Sequence, residues 1–302
     1  MNKSQKLVSV LILFISFFFC DQVLAQMHVF TKELSRKYES DNKDIVINGE
    51  KAIITISPST NSMLIVELQI ISKDTDKEKA KQQLSFLHYV EKDSKKEIYL
   101  RDYILIPVDE ELTGTIEAIY TVKIPSNKNV RITNSLGKVI ISNCRGNYKI
   151  DMKYGNITIS NLKGNLDLTN HIGEVIINHC DMIGVFNTKY TSNYFNNNKG
   201  KYTFETNLGS INFELSEDVT WLSTESEGTE ITLSNKNCIE YNMVLQAKAG
   251  KIFLNDCVTR GQKFITENNL QTVTPSSDFE YFKEGLGKII IIKNKYANIS
   301  VH

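Results

Sequence analysis

Between Leu136 and Leu215 the apolar positions obey one rule: they recur every eighteen residues. Leu136-Gly137, Tyr154-Gly155, Ile172-Gly173, Tyr190-Thr191 and Leu208-Gly209 each open a unit. Four residues past each pair stands an apolar anchor: Ile141, Ile159, Ile177, Phe195 and Phe213. A second series, offset by nine, runs through Gly146, Gly164, Met182 and Gly200. Apolar pairs two and four past these positions (Val139/Ile141, Tyr148/Ile150, Ile157/Ile159, Leu166/Leu168) alternate with polar residues, which places them on one side of a strand. A fixed period repeated over five turns predicts a single-stranded parallel β-solenoid with coils of about 18 residues, each holding two short strands and two turns around a thin core. Asn143, Asn161 and His179 occupy equivalent sites, which predicts a side-chain ladder along one edge. Tyr190 and Phe195 are expected to point inward.

On either side the pattern loosens. Residues 26–126 read as a β-rich N-terminal portion and 127–302 as the solenoid with an irregular C-terminal end. Ile45-Val46-Ile47, Asn48-Gly49 and Ala52 to Ile56 predict a hairpin, and Met63 to Ile71, Ile98 to Ile106 and Ile116 to Ile124 predict strands. A capping box, Thr75-x-x-Glu78, precedes an expected helix over 77–90, with Ala80, Leu84, Leu87 and His88 on one face. After Phe213, Leu233 and Leu254 are the expected next anchors, at spacings of 20 and 21. Residues 260–284 read as irregular, and Ile289 to Ile292 as a last strand capping the open end.

The first 25 residues change the compartment. Lys3 and Lys6, an apolar run from Leu7 to Phe19 and Val23-Leu24-Ala25 form a secretory signal peptide with cleavage before Gln26. Cys20 at the end of that run leaves lipidation open. The apolar run is too short to span a membrane, and no other span is visible. Without that segment 33 basic and 34 acidic residues remain (35 − 2 and 35 − 1), a net charge of −1 that fits neither nucleic acid nor an anionic surface. Cys144 and Cys180, two coils apart, lie roughly 9.6 Å from each other in stacked strands, beyond the reach of a disulfide. They are expected to be free and buried. Cys238 and Cys257 are one coil apart and can either pair or serve as core thiols, the second being favoured.

Asn48-Gly49, the segment 77–90, the phrase Tyr120-Thr121-Val122-Lys123-Ile124-Pro125 and the run of G-x-[VIL]-x-[IVL] units together resemble an exported bacterial family known as "putative adhesins". The resemblance covers nearly the whole exported chain and implies a β-solenoid entered through a β-rich portion. The pattern departs from the family at Met182 and Thr191, where glycines are missing.

Chemistry is sparse. His171 and His179 fall at different repeat offsets and do not converge, so no metal site is expected, and no catalytic or cofactor-binding motif occurs. Glu225, Glu227 and Glu230 form an acidic cluster without a basic residue near in sequence and read as a solvated loop. One outward column is partly apolar: Ile140, Thr158, Ile176, Tyr194 and Asn212. It is covered by the helix, or reflects β-propensity alone, or meets a partner. Ile140, Ile176 and Tyr194 are therefore the candidate ligand-binding residues. The sequence thus predicts an all-β, exported, non-enzymatic binding or structural scaffold of the bacterial envelope or surface, without cofactors. Its partner is a protein, a glycan or a second copy of itself. The alternatives are a carbohydrate-active β-helix enzyme (a polysaccharide lyase or hydrolase) and a periplasmic partner in envelope signalling.

Overall fold

A computed structural model describes residues 27–254 and 276–302. The signal segment, Cys20 and Cys257 lie outside the described residues.

Among the described residues the structure is all-β apart from one short helix and a 3-10 turn, and its seventeen strands join in one long, mostly parallel sheet. Its centre is the repeat. Strands β7 (Lys128–Ser142), β8 (Arg145–Ser160), β9 (Lys163–Asn178), β10 (Asp181–Asn196) and β11 (Lys199–Glu214) each take up 15 or 16 residues of an eighteen-residue unit. Each pairs with the next in parallel, residue i beside i+18: Ile141 with Ile159, Ile159 with Ile177, Ile177 with Phe195, Phe195 with Phe213. Asn143, Asn161, His179 and Asn197 turn the corner between strands in the left-handed conformation. Asn and His tolerate that geometry better than branched residues do. The predicted ladder exists in part, with Asn161 Nδ2 donating to Asn143 Oδ1 at 2.9 Å. A longer ladder runs on another column, where Asn165 Nδ2 donates to Asn147 Oδ1 at 2.7 Å and Asn147 Nδ2 to Asn129 Oδ1 at 2.9 Å.

Inside the stack the predicted alternating residues form the core, with Val139, Ile141, Tyr148, Ile150, Ile157, Ile159, Leu166, Leu168, Val175 and Ile177 all buried. Gly184 stands in register with Leu166 and Tyr202 and leaves a gap in that column. The Phe186 ring fills it: a Cβ on Gly184 would lie 2.5 Å from Phe186 Cε2. From there the core is aromatic. Phe186 stacks on Phe204 at 4.9 Å and Phe195 on Phe213 at 5.3 Å, and the two stacks meet edge to face. Cys144 and Cys180 are buried and free, and burial pushes the Cys180 thiol up to about 11. Cys238, expected to be a core thiol, is disulfide-bonded.

Both ends of the stack depart from sequence order. β2 (Asp44–Pro58) is one continuous strand rather than a hairpin, and it lies in parallel against β7, Ile54 beside Val139. Asn48-Gly49 lies within that strand. On the other side of β2 lie β5 (Glu97–Ile104) and β6 (Thr115–Ile124), which together complete a further layer. β3 (Met63–Asp74) runs antiparallel on β6, and β1 (His28–Glu39) antiparallel on β3. The helix α1 covers only Lys77–Gln83, capped by Asp76, whose carboxylate accepts from the Glu78 and Lys79 N–H groups. The residues expected to extend it to 90 form a 3-10 turn and then β4 (Leu87–Asp93), antiparallel to β5. There the pairing of Leu87 and Tyr89 with β5 outweighs a helical spacing that only four residues supported.

The far end repeats the inversion. β12 (Val219–Ser234) follows β11 across a bulge at Gly200/Lys201. β13 (Asn242–Lys248) and β14 (Ile252–Leu254) continue the spacing of 21, yet they do not lie on β12. β16 (Ile289–Lys295) and β17 (Ile299–Val301) insert between them, so Leu233 stacks on Val301 and Val301 on Leu254. β15 (Ser276–Tyr281), expected to be irregular, runs antiparallel on β13.

Candidate functional site

In-register stacking turns each outward residue of the repeat into a column with steps of about 4.8 Å. The column chosen from the sequence is real. Thr55, Ile140, Thr158, Ile176, Tyr194 and Asn212 lie side by side on six strands. Tyr194 is exposed, while Ile140 and Ile176 are half-buried between their neighbours. The helix offered as a cover packs instead against β1 and β3.

A second apolar column marks the bend. Leu136, Tyr154, Ile172, Tyr190 and Leu208 are all substantially exposed, between 39% and 53%. These residues identify the repeat in the sequence, yet nothing there shows which way they face. Tyr190 was expected inside. It points out with the rest of its column, and the adjacent Thr191 is buried instead, its Oγ1 donating to the Lys189 carbonyl at 2.9 Å.

The larger of two clefts among the described residues lies elsewhere, with a volume of about 840 Å³, on the outer face of β10 to β16. Every residue lining it is polar. Two parallel rows build it. In the first, Asn187, Glu205, Glu225, Lys293, Gln246 and Asp278 follow one another strand by strand. In the second, two residues further on and so on the same face, come Lys189, Asn207, Glu227, Lys295 and Lys248. Glu225 and Glu227 thus sit on a strand, not in a solvated loop. Their basic neighbours come from β16, 68 residues downstream, through the register Glu225 to Lys293. None of the ion pairs among the described residues uses these lysines or carboxylates. On the cleft floor Asn170 is fully buried, and its Oδ1 has no hydrogen-bond partner. A smaller cleft of about 410 Å³ lies over Arg131, Lys149, Asp167 and Val185, where Lys149 and Asp167 pair at 2.7 Å.

His171 lines the large cleft while His179 stands at a corner, so the structure does not bring them together. Among the described residues no group of three or more His, Cys, Asp or Glu is disposed to hold a metal ion. Among them, too, no helix is long and apolar enough to cross a membrane.

These features define an all-β protein built on a long parallel stack with side-chain columns on its surface. Among solved structures, the chain shares this fold with a "putative adhesin" from Bacteroides fragilis NCTC 9343, at 12% identity and a TM-score of 0.50, over 90% of this chain and 97% of that one. A "putative lipid binding protein" from Parabacteroides distasonis ATCC 8503 aligns over 90% and 97% of the two chains, at 11% identity and a TM-score of 0.43. A "putative adhesin" from Parabacteroides merdae ATCC 43184 aligns over 90% and 96%, at 8% identity and a TM-score of 0.36. No protein-family model and no curated protein matches the chain.

Proposed function

We propose that this protein is an exported, non-enzymatic, adhesin-like binding scaffold of the bacterial envelope or surface. In this reading residues 1–25 direct export and the remainder winds as a single-stranded parallel β-solenoid. The observation that carries it is the set of regular outward columns, above all Ile140–Thr158–Ile176–Tyr194, which lie in register on consecutive strands and away from the helix. Apolar side chains repeated along a rigid sheet suit a partner held over several coils. The test is capture from envelope extract by immobilised protein. Wild type is expected to retain a partner that Tyr194→Ala combined with Ile176→Ser loses, with thermal unfolding unchanged. Equal capture by both proteins contradicts the assignment of this column.

One observation favours the enzyme alternative: Glu205 and Glu225 are adjacent carboxylates with Lys293 beside them, a grouping that glycoside-cleaving chemistry can use. Release of reducing ends from acidic polysaccharides, abolished by Glu225→Gln, would establish it.

A further inference from the structure

The charges of the large cleft are sorted rather than mixed. Glu205 and Glu225 are direct neighbours on β11 and β12, and Lys295 and Lys248 are direct neighbours on β16 and β13. Like charges side by side across strands oppose folding, and exchanging one residue of each pair would create ion pairs instead. The arrangement nevertheless sets three carboxylates (Glu205, Glu225, Glu227) on β11 and β12 and three ammonium groups (Lys293, Lys295, Lys248) on β16 and β13, with one opposite charge at each outer edge, Lys189 on β10 and Asp278 on β15. The lining holds four lysines and four carboxylates, so the cleft as a whole is balanced. A purely anionic or purely cationic ligand would satisfy one half and be repelled by the other.

We propose that this cleft binds a zwitterionic oligosaccharide, with amino groups against Glu205, Glu225 and Glu227 and carboxylates against Lys293, Lys295 and Lys248. This deepens the binding-scaffold reading and rests on it. Three observations select a glycan over a peptide. No aliphatic or aromatic side chain lines the cleft, so apolar residues of a peptide would meet only the stems and methyls of polar side chains. The cleft opens on the face of paired strands, which removes the main-chain bonding by which sheets capture extended peptides. The amides and hydroxyls between the charged groups, among them Asn187, Asn207, Gln246 and Ser226, match a ligand dense in hydroxyl groups. The first row crosses six strands, roughly 24 Å, so the ligand is extended along the stack.

The probe is a block hexasaccharide, three unacetylated glucosamines joined to three glucuronates, measured calorimetrically against the full exported chain. Comparisons are the N-acetylated form, which keeps only the carboxylates, and a peptide of three lysines followed by three glutamates. The zwitterionic sugar is expected to bind about tenfold more tightly than its N-acetylated form, the scale of one charge-assisted contact. Glu225→Gln should erase that difference, and Lys293→Met should weaken both sugars. Both side chains are exposed, so the fold is not at risk. No binding of the zwitterionic sugar overturns the proposal, as does equal affinity for both sugars or for the peptide. The Tyr194 column is untouched by these variants. Loss of envelope capture with intact sugar binding therefore refutes nothing here, and the converse result refutes only the cleft.

Discussion

At the scale of single residues, the N-terminal layers hold the group whose burial has the clearest consequence. Asp102 is 1% exposed, and burial pushes its carboxyl above the ordinary 3.8, an effect that the Glu50 N–H donating to Oδ2 at 3.0 Å partly offsets. A carboxyl raised in the folded state favours folding while it is protonated. That contribution is lost as pH rises from about 4 through the folded value. Asp102→Asn is therefore expected to gain stability relative to wild type at pH 7 and little or none at pH 4, as read from urea midpoints. An unchanged difference between the two pH values would contradict a strained carboxylate. Asp74 acts oppositely: the Asp76 N–H and Thr113 hydroxyl hold it down at about 2, so its contribution fades as pH falls from about 4 toward 2. Neither role was legible from sequence: Asp102 meets the Glu50 N–H across 52 positions, and Asp74, besides its local contact with Asp76, meets the Thr113 hydroxyl across 39.

At the scale of elements, the repeat was legible because each coil solves the same problem with the same residue types. Two apolar positions per half-coil face inward, and a glycine stands where adjacent coils touch. Gly173 shows the constraint: a Cβ there would fall 1.9 Å from the Gly155 carbonyl oxygen, at a φ of 141°. Gly173→Ala is expected to cost about 2–4 kcal/mol, measured by chemical denaturation, whereas tolerance would mean the coils stand further apart. Elements defined by long-range pairing were not legible. Asn48-Gly49 fits a hairpin turn and an unbroken strand equally well, and only the parallel partner β7 decides between them. Residues 87 to 90 satisfy a helical and a strand period alike, and β5 decides. Leu233 and Leu254 are successive anchors in sequence but not in space.

At the scale of the whole molecule, the two ends share one device. In each, a strand lies between two others that are nearer to one another in sequence order: β2 is laid down first and is then flanked by β6 outside and β7 inside, whereas β16 comes last and fills the position between β12 and β13. Antiparallel strands then flank the outer layers, which limits the open edge a stack would otherwise present. The large cleft is a product of the β16 insertion. Two of its four lysines come from β16, and no eighteen-residue frame places Lys293 beside Glu225. Glu225 and Glu227 were visible in the sequence as an acidic cluster, and their basic counterparts were not.

The insertion of β16 is thus the claim on which the cleft depends, and oxidative cross-linking tests it directly. Glu225→Cys with Lys293→Cys places two exposed thiols on adjacent strands in register, within disulfide reach. Glu225→Cys with Gln246→Cys places them two strands, about 9.6 Å, apart. Rapid bridging of the first pair under mild oxidation, with the second remaining reduced, is the predicted result. Bridging of the second pair and not the first would mean that β13 lies on β12 in sequence order, and the cleft described above would not exist.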